Sequence, residues 1–144
     1  HCQYNKRGVR MIDIENEVFT RIARAIKAAA PDTYVTGEYR RAPARFPCVS
    51  IEEANNHPLR RTQSSSSMEN HVMVMYEVNI YSNLKTGRKT ECRALAKVID
   101  DAFTAMGFDR VMLNPMPNLE DATIYRIVAR YEAVADAKNT IYRA

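Results

Sequence analysis

The sequence predicts an α+β domain in which a mainly antiparallel sheet carries two amphipathic helices on one face, in the order α-β-β-β-α-β-β. Two segments repeat apolar residues at the period of a helix, and residues 72–81 alternate apolar and polar positions as a half-buried strand does. The connections between the predicted strands are too short for the crossover helices of a parallel sheet. Both apolar helical stripes must therefore be buried against the same face of one sheet.

The first predicted helix follows Met11. Asp13 is suited to cap it or to lie in its first turn, and it ends before Pro31, because the residue before a proline disfavours the helical conformation. Its apolar stripe consists of Ile14, Val18, Ile22, Ile26 and Ala29.

Two strands and two connections come next. Residues 33–39 are rich in β-branched and aromatic side chains and predict the first strand, and residues 48–53 predict a short second one. Residues 40–47, with two prolines and three arginines, predict a surface connection. Residues 54–67 form a polar loop that is long for a compact domain, so we expect it to bind something.

The second half of the chain predicts the remaining elements. Residues 72–81 are the clearest strand, and the second helix begins near Gly87 and ends at Gly107, a natural left-handed cap. Residues 108–113 and 123–134 predict two more strands. The buried stripe of the second helix is expected to be Cys92, Leu95, Ala96, Ile99, Ala102, Phe103 and Met106.

The 144 residues are enough for one domain. We expect residues 11–137 to form it, residues 138–144 to be a tail or short strand, and residues 1–10 to be a disordered or added extension. That extension holds three of the 21 basic residues, so 21 − 3 = 18 remain against 17 acidic ones and the body is nearly neutral. No apolar run approaches the roughly 18 residues of a membrane span, and no secretion signal is present, which predicts a cytosolic protein when made.

Signals of an enzyme are missing from the sequence. It has no glycine-rich phosphate loop, and His1, His57 and His71 lack the spacing of metal ligands. The adjacent acidic pairs Glu52–Glu53 and Asp100–Asp101 cannot converge on one atom, and we expect them to be solvated charges. The prediction is no catalytic residue, no metal and no cofactor.

Cysteines and tyrosines are expected to serve packing. Cys2, Cys48 and Cys92 are an odd number without a paired spacing, so Cys48 and Cys92 are predicted to be buried free thiols. The strand tyrosines alternate with aliphatic residues, which favours core packing or an interface over base stacking. They are Tyr76, Tyr81, Tyr125 and Tyr131.

The candidate contact residues lie in the two polar connections. Their arginines either meet at one end of the sheet as a basic patch or remain separate solvated charges. The candidates are Arg40, Arg41, Arg45, Arg60, Arg61, Gln63, Ser65 and Met68.

Residues 11–137 resemble the tail-terminator, or tail-completion, proteins of long-tailed bacteriophages. The resemblance lies in the order and spacing of an opening amphipathic helix and four strings, and it transfers an architecture and a role but no site residue. The strings are FPCVSIEE at 46–53, YEVNIYSN at 76–83, KVIDDAF at 97–103 and YRIVARY at 125–131.

This resemblance implies a structural virion protein of the neck. It would form a homo-oligomeric ring, usually a hexamer, that caps the tail tube, stops its polymerisation and joins it to the head connector or stopper protein. DNA would pass through the lumen without specific binding, which suits a near-neutral body. We expect the arm formed by residues 55–70 to reach a neighbouring subunit or ring, and deletion of residues 60–68 tests this. The alternatives are another connector or stopper protein of the neck and a small nucleic-acid-binding domain.

Overall fold

The computed structural model describes residues 11–39, 43–59, 71–118 and 121–143. Its elements follow the predicted order, and a short sixth strand completes it. They are α1 (Glu15–Ala29), β1 (Tyr34–Thr36), β2 (Cys48–Pro58), β3 (His71–Ser82), α2 (Arg88–Met106), β4 (Asp109–Pro115), β5 (Tyr125–Asp136) and β6 (Ile141–Tyr142). The predicted α+β class is confirmed.

The six strands form one sheet in the order β1-β2-β3-β5-β4, and β6 pairs with β5. Every pairing is antiparallel except that of β1 with β2, which is parallel. β4 pairs with residues 127–132 of β5, and β6 pairs with Val134 and Ala135, so the two lie end to end along the same edge of β5.

Both helices end near the residues that the sequence predicts. Asp13 Oδ1 accepts a hydrogen bond of 3.0 Å from the Glu15 amide at the start of α1. Gly87 precedes α2 and Gly107 follows it. Their φ angles are +86° and +99°, in the left-handed region that residues with a Cβ atom rarely adopt. No helix in the described ranges is both long and apolar enough to cross a lipid bilayer.

The apolar stripes of both helices lie on one face of the sheet and share one core with the inward positions of β2, β3 and β5. Phe103 of α2 lies at the centre of an aromatic cluster. Its ring stacks on Tyr131 at 4.2 Å between centroids and meets Phe108 edge-on at 5.1 Å. Tyr76, Tyr81 and Tyr131 are buried, which confirms that these strand tyrosines serve packing. Cys48 and Cys92 are buried free thiols, as predicted.

Two strand boundaries differ from the prediction by more than two residues. β1 ends at Thr36, whose Oγ1 accepts a hydrogen bond of 3.2 Å from the Glu38 amide and so starts a turn. β2 does not end at residue 53: it continues to Pro58, with a bulge between Glu53 and Asn55. The polar residues 54–58 were expected in a loop, but they pair with β3 because β3 extends far enough to hydrogen-bond them.

Candidate functional site

Among the eight predicted contact residues, Arg45 alone belongs to the part of the chain that the structure describes. It is exposed in the connection between β1 and β2, and its guanidinium carbon lies 5.0 Å from the centroid of the Tyr34 ring, a cation–π contact. The others lie outside the described residues, so the proposed basic patch stays a prediction. They are Arg40, Arg41, Arg60, Arg61, Gln63, Ser65 and Met68.

The β2–β3 hairpin forms a long stem below the predicted arm. The two strands stay paired up to Pro58 and Val72, and the Leu59 amide donates a hydrogen bond of 3.0 Å to the His71 carbonyl beyond them. β3 also pairs with β5 over its whole length, so the stem is supported from its second side. The stem therefore reaches Leu59 and His71 with its strands still joined by main-chain hydrogen bonds.

In the part of the chain that the structure describes, the sheet has an open edge on each side. β4 is the last strand on one side, and on the other side β1 covers β2 only from Cys48 to Ser50. Within the described ranges, the outer edge of β2 from Ile51 to Pro58 has no partner strand. Each open edge is interrupted by one bulge, at Val111 in β4 and at Ala54 in β2, which limits the length of a regular ladder with another strand.

A groove of about 610 Å³ runs between α2 and the open edge of β4. Arg93 and Lys97 of α2 and Arg110 of β4 line it, and we call these three side chains the basic groove. Arg110 is partly neutralised, because its Nη1 lies 3.3 Å from Asp100 Oδ1, which also accepts a hydrogen bond from Tyr131. Arg93 and Lys97 are exposed and have no ion pair with another described residue.

A smaller cavity of about 300 Å³ lies beside the opposite edge, where α1 faces the start of the uncovered part of β2. Glu15 of α1 and Glu38, which follows β1, line it together with Phe19, Ile51 and Tyr76. We call Glu15 and Glu38 with this cavity the acidic notch. Both carboxylates are on exposed residues, and no described basic side chain forms an ion pair with Glu15.

Glu53 lies next to the acidic notch and was expected to be a solvated charge, which is wrong. It is half-buried on the helix side of β2, where Tyr76 and Asn56 donate hydrogen bonds to its two carboxylate oxygens at 2.7 and 3.3 Å. Burial raises the pKa of Glu53, and the negative charges of Glu15 and Asp13 raise it further. The negative charges of Glu15 and Asp13 therefore act on the Glu53 carboxylate.

Asp100 was likewise expected to be a solvated charge, and this is wrong as well. Its side chain is 27% exposed, and Tyr131 OH donates to its Oδ1 at 2.9 Å. Burial, with the Asp100 hydrogen bond, raises the pKa of Tyr131 far above its usual range. Asp100 therefore joins α2 to β5 as well as to Arg110 of β4.

The sheet face without helices carries the arginines of β5, each held by a side chain of β3. Arg130 forms an ion pair of 2.9 Å with Glu77, and Arg126 Nε donates a hydrogen bond of 2.9 Å to Asn79 Oδ1. The Arg126 guanidinium also lies 5.6 Å from the ring centroid of Tyr39. These contacts hold both arginines against the sheet, which makes them poor candidates for gripping DNA phosphates.

Sequence reasoning missed the residues of the basic groove and the acidic notch. Arg93 and Lys97 are four residues apart and so share one face of α2, but this spacing is also typical of an ordinary solvated face. Their approach to Arg110 depends on the packing of α2 beside β4, for which the sequence carries no signal.

Among the described residues, no three His, Cys, Asp or Glu side chains are grouped as a metal would require. No protein-family model matches the chain, and no curated protein matches it either.

Proposed function

We propose that this chain is a tail-terminator protein of a long-tailed bacteriophage. Copies of it form a closed ring, with six subunits expected, on the upper end of the tail tube. The ring stops polymerisation of the tube protein and provides the surface on which the head connector or stopper protein docks. The protein acts in the neck of the virion as a structural component, without a cofactor.

The observation that carries this proposal is the pair of open edges on opposite sides of one sheet. β2 and β4 run in opposite directions, because β2, β3, β5 and β4 are each antiparallel to the next. Copies related by rotation about an axis along the strands therefore bring β4 of one subunit beside β2 of the next in antiparallel orientation. This contact joins two different surfaces and leaves both helices of every subunit on the same side, and contacts of this kind give a closed ring when the rotation between subunits closes.

Two further features support the proposal. The β2–β3 stem stays paired as far as Leu59 and His71, so an arm that contacts a neighbouring subunit or ring would begin and end on paired strands. The balance of 18 basic and 17 acidic residues after the first ten suits a lumen through which DNA passes, because each strong phosphate contact would slow its passage.

Native mass spectrometry of the full chain, alone and after addition of purified tail tubes, tests the proposal. We expect a closed oligomer, and electron microscopy should show tubes that no longer elongate once it is bound. A chain that stays monomeric in both conditions and leaves tube growth unchanged would contradict the proposal. Tight duplex-DNA binding that weakens steeply with salt would instead favour the nucleic-acid-binding alternative.

A further inference from the structure

A basic surface and an acidic surface lie beside opposite edges of the sheet. The basic groove lies above the open edge of β4, and the acidic notch lies above the open edge of β2. Both are on the helix side of the sheet, because the first is walled by α2 and the second by α1. The charges therefore flank the edges of β2 and β4 that have no partner strand among the described residues.

The basic groove is suited to receive carboxylates from another molecule. Arg93 and Lys97 are exposed at successive turns of α2, and their charges are not neutralised by any described side chain. The apolar side chain of Leu113 also lines the groove, which adds contact area to the charge. Asp100 is the one acidic side chain among the described residues of its lining, and it is already bound to Tyr131 and Arg110.

The acidic notch is suited to receive long basic side chains. Its cavity of about 300 Å³ is bounded by Phe19 and Ile51, against which the aliphatic part of an arginine or lysine can pack. Glu15, which forms no ion pair with a described basic side chain, supplies negative charge, and Glu38 lines the cavity beside it.

Orientation brings these surfaces together when copies of the chain stand side by side. A second copy in the same orientation places its β2 edge against the β4 edge of the first, with both helix layers on the same side. α1 of the second copy then faces α2 of the first. Because a bulge interrupts each edge, main-chain pairing alone gives limited specificity, and the side chains above the edges must select the partner.

We propose that the basic groove of one copy, Arg93 and Lys97 with Arg110, binds the acidic notch of a second copy, Glu15 and Glu38. This contact sets the relative orientation of neighbouring subunits. This inference rests on the proposed function, since it names the surfaces through which the ring closes. The partner is a second copy of this chain, because the two surfaces complement each other in charge and occupy the two open edges of the same sheet.

Charge reversal on each side tests the contact. Variant A carries Arg93→Glu and Lys97→Glu, and variant B carries Glu15→Lys and Glu38→Lys. All four residues are exposed, so both variants are expected to fold, which circular dichroism and thermal melting check. When copies of one variant meet, like charges face each other across the contact. We expect self-association of each variant to weaken about tenfold or more relative to the unchanged chain.

Mixing the two variants supplies the decisive measurement. The acidic groove of variant A then meets the basic notch of variant B, while the unchanged groove of B meets the unchanged notch of A. Native mass spectrometry should show oligomers restored at a strict one-to-one ratio of the variants. Assembly of the unchanged chain should also weaken as salt rises, because the Debye length falls from about 10 Å at 0.1 M to about 3 Å at 1 M.

A matched control reverses two exposed lysines away from the groove, Lys85→Glu and Lys138→Glu, with the same change in net charge as variant A. This control should assemble like the unchanged chain. If variants A and B both assemble normally, or if their mixture stays unassembled while each is folded, the contact is not the one proposed, although a ring can still form through other surfaces. If the unchanged chain is monomeric even with tail tubes, the proposed function fails and this contact fails with it.

Discussion

The hydroxyl of Tyr76 donates a hydrogen bond of 2.7 Å to Oε1 of Glu53, which joins β3 to β2 beneath the start of α1. Asn56 Nδ2 donates to the other carboxylate oxygen of Glu53 and to the carbonyl of Ile12. Asn56 therefore connects this carboxylate to the segment before α1. Burial raises the pKa of Glu53 above its usual 4.5, and the neighbouring negative charges raise it further. The folded protein therefore binds the Glu53 proton more tightly than the unfolded chain does.

Glu53→Gln should change how stability depends on pH. The protonated form contributes stability that is fully present below about pH 4.5 and is lost as the pH rises through the raised pKa of Glu53. Glutamine does not titrate, so the free energy of unfolding of the unchanged chain, minus that of the variant, should be smaller at pH 7 than at pH 4. Urea unfolding at the two pH values measures this difference. An equal difference at both would show that Glu53 does not titrate differently on folding.

Tyr76→Phe serves as the companion variant. It removes the hydroxyl donor but keeps the ring in the core, so Glu53 loses one of its hydrogen bonds. We expect it to lower the free energy of unfolding by about 1 to 2 kcal/mol at pH 7.

The order of the elements and both helical stripes could be predicted because each depends on local periodicity, although Ala29, expected in the stripe of α1, is exposed at the end of that helix. Gly107 ends α2 as expected, since its left-handed conformation is a property of that residue and its neighbours. The extension of β2 to Pro58 could not be predicted in this way. Residues 54–58 are polar and have weak strand preference, and they are held in the sheet by the length of β3.

The residues of the candidate site were harder to predict from the sequence than the fold was. Alternation along β2 places Glu52 and Glu53 on opposite faces, as expected, but it does not reveal that Tyr76 and α1 bury Glu53. In the same way, Lys97 looks like an ordinary exposed helical residue until α2 is packed beside β4. Both sites depend on how one element packs against another, which a periodic pattern does not encode.

Gly87→Ala and Gly107→Ala form a matched pair at the two ends of α2. Both glycines have positive φ, so each substitution should cost about 1 to 2 kcal/mol in backbone strain. A Cβ at position 87 meets nothing within 4 Å, whereas one at position 107 lies 3.3 Å from the Ile141 carbonyl oxygen of β6. Gly107→Ala should therefore cost about 1 kcal/mol more, because β6 must shift. Urea unfolding of both variants checks this, and equal losses would mean that β6 yields freely.

The two buried thiols should be unreactive in the folded protein. Cys92 Sγ lies 3.8 Å from the Ile80 carbonyl oxygen and 3.7 Å from that of Tyr125, and burial, with Glu91 nearby, raises the pKa of the thiol to about 12. Cys48 is fully buried as well. In a Cys2→Ser variant at pH 8, a thiol-reactive dye such as DTNB should label neither cysteine before unfolding and both after it. Rapid labelling of the folded variant would show that one of these sites opens to solvent.

The β2–β3 hairpin allows the fold and the arm to be tested separately. Leu59 and His71 are already joined by a main-chain hydrogen bond, so a two-residue Asn-Gly turn can replace residues 60–70 without changing the strand register. The shorter loop should raise the free energy of unfolding by about 1 kcal/mol, because less closure entropy is lost.

If the arm reaches a neighbouring subunit, the same variant should fold but lose ring formation in native mass spectrometry. A control that keeps the loop length with glycine and serine separates length from side-chain identity. A ring that forms normally with the short turn would show that the open edges and their charged flanks suffice for assembly, because the stem would then end without an arm.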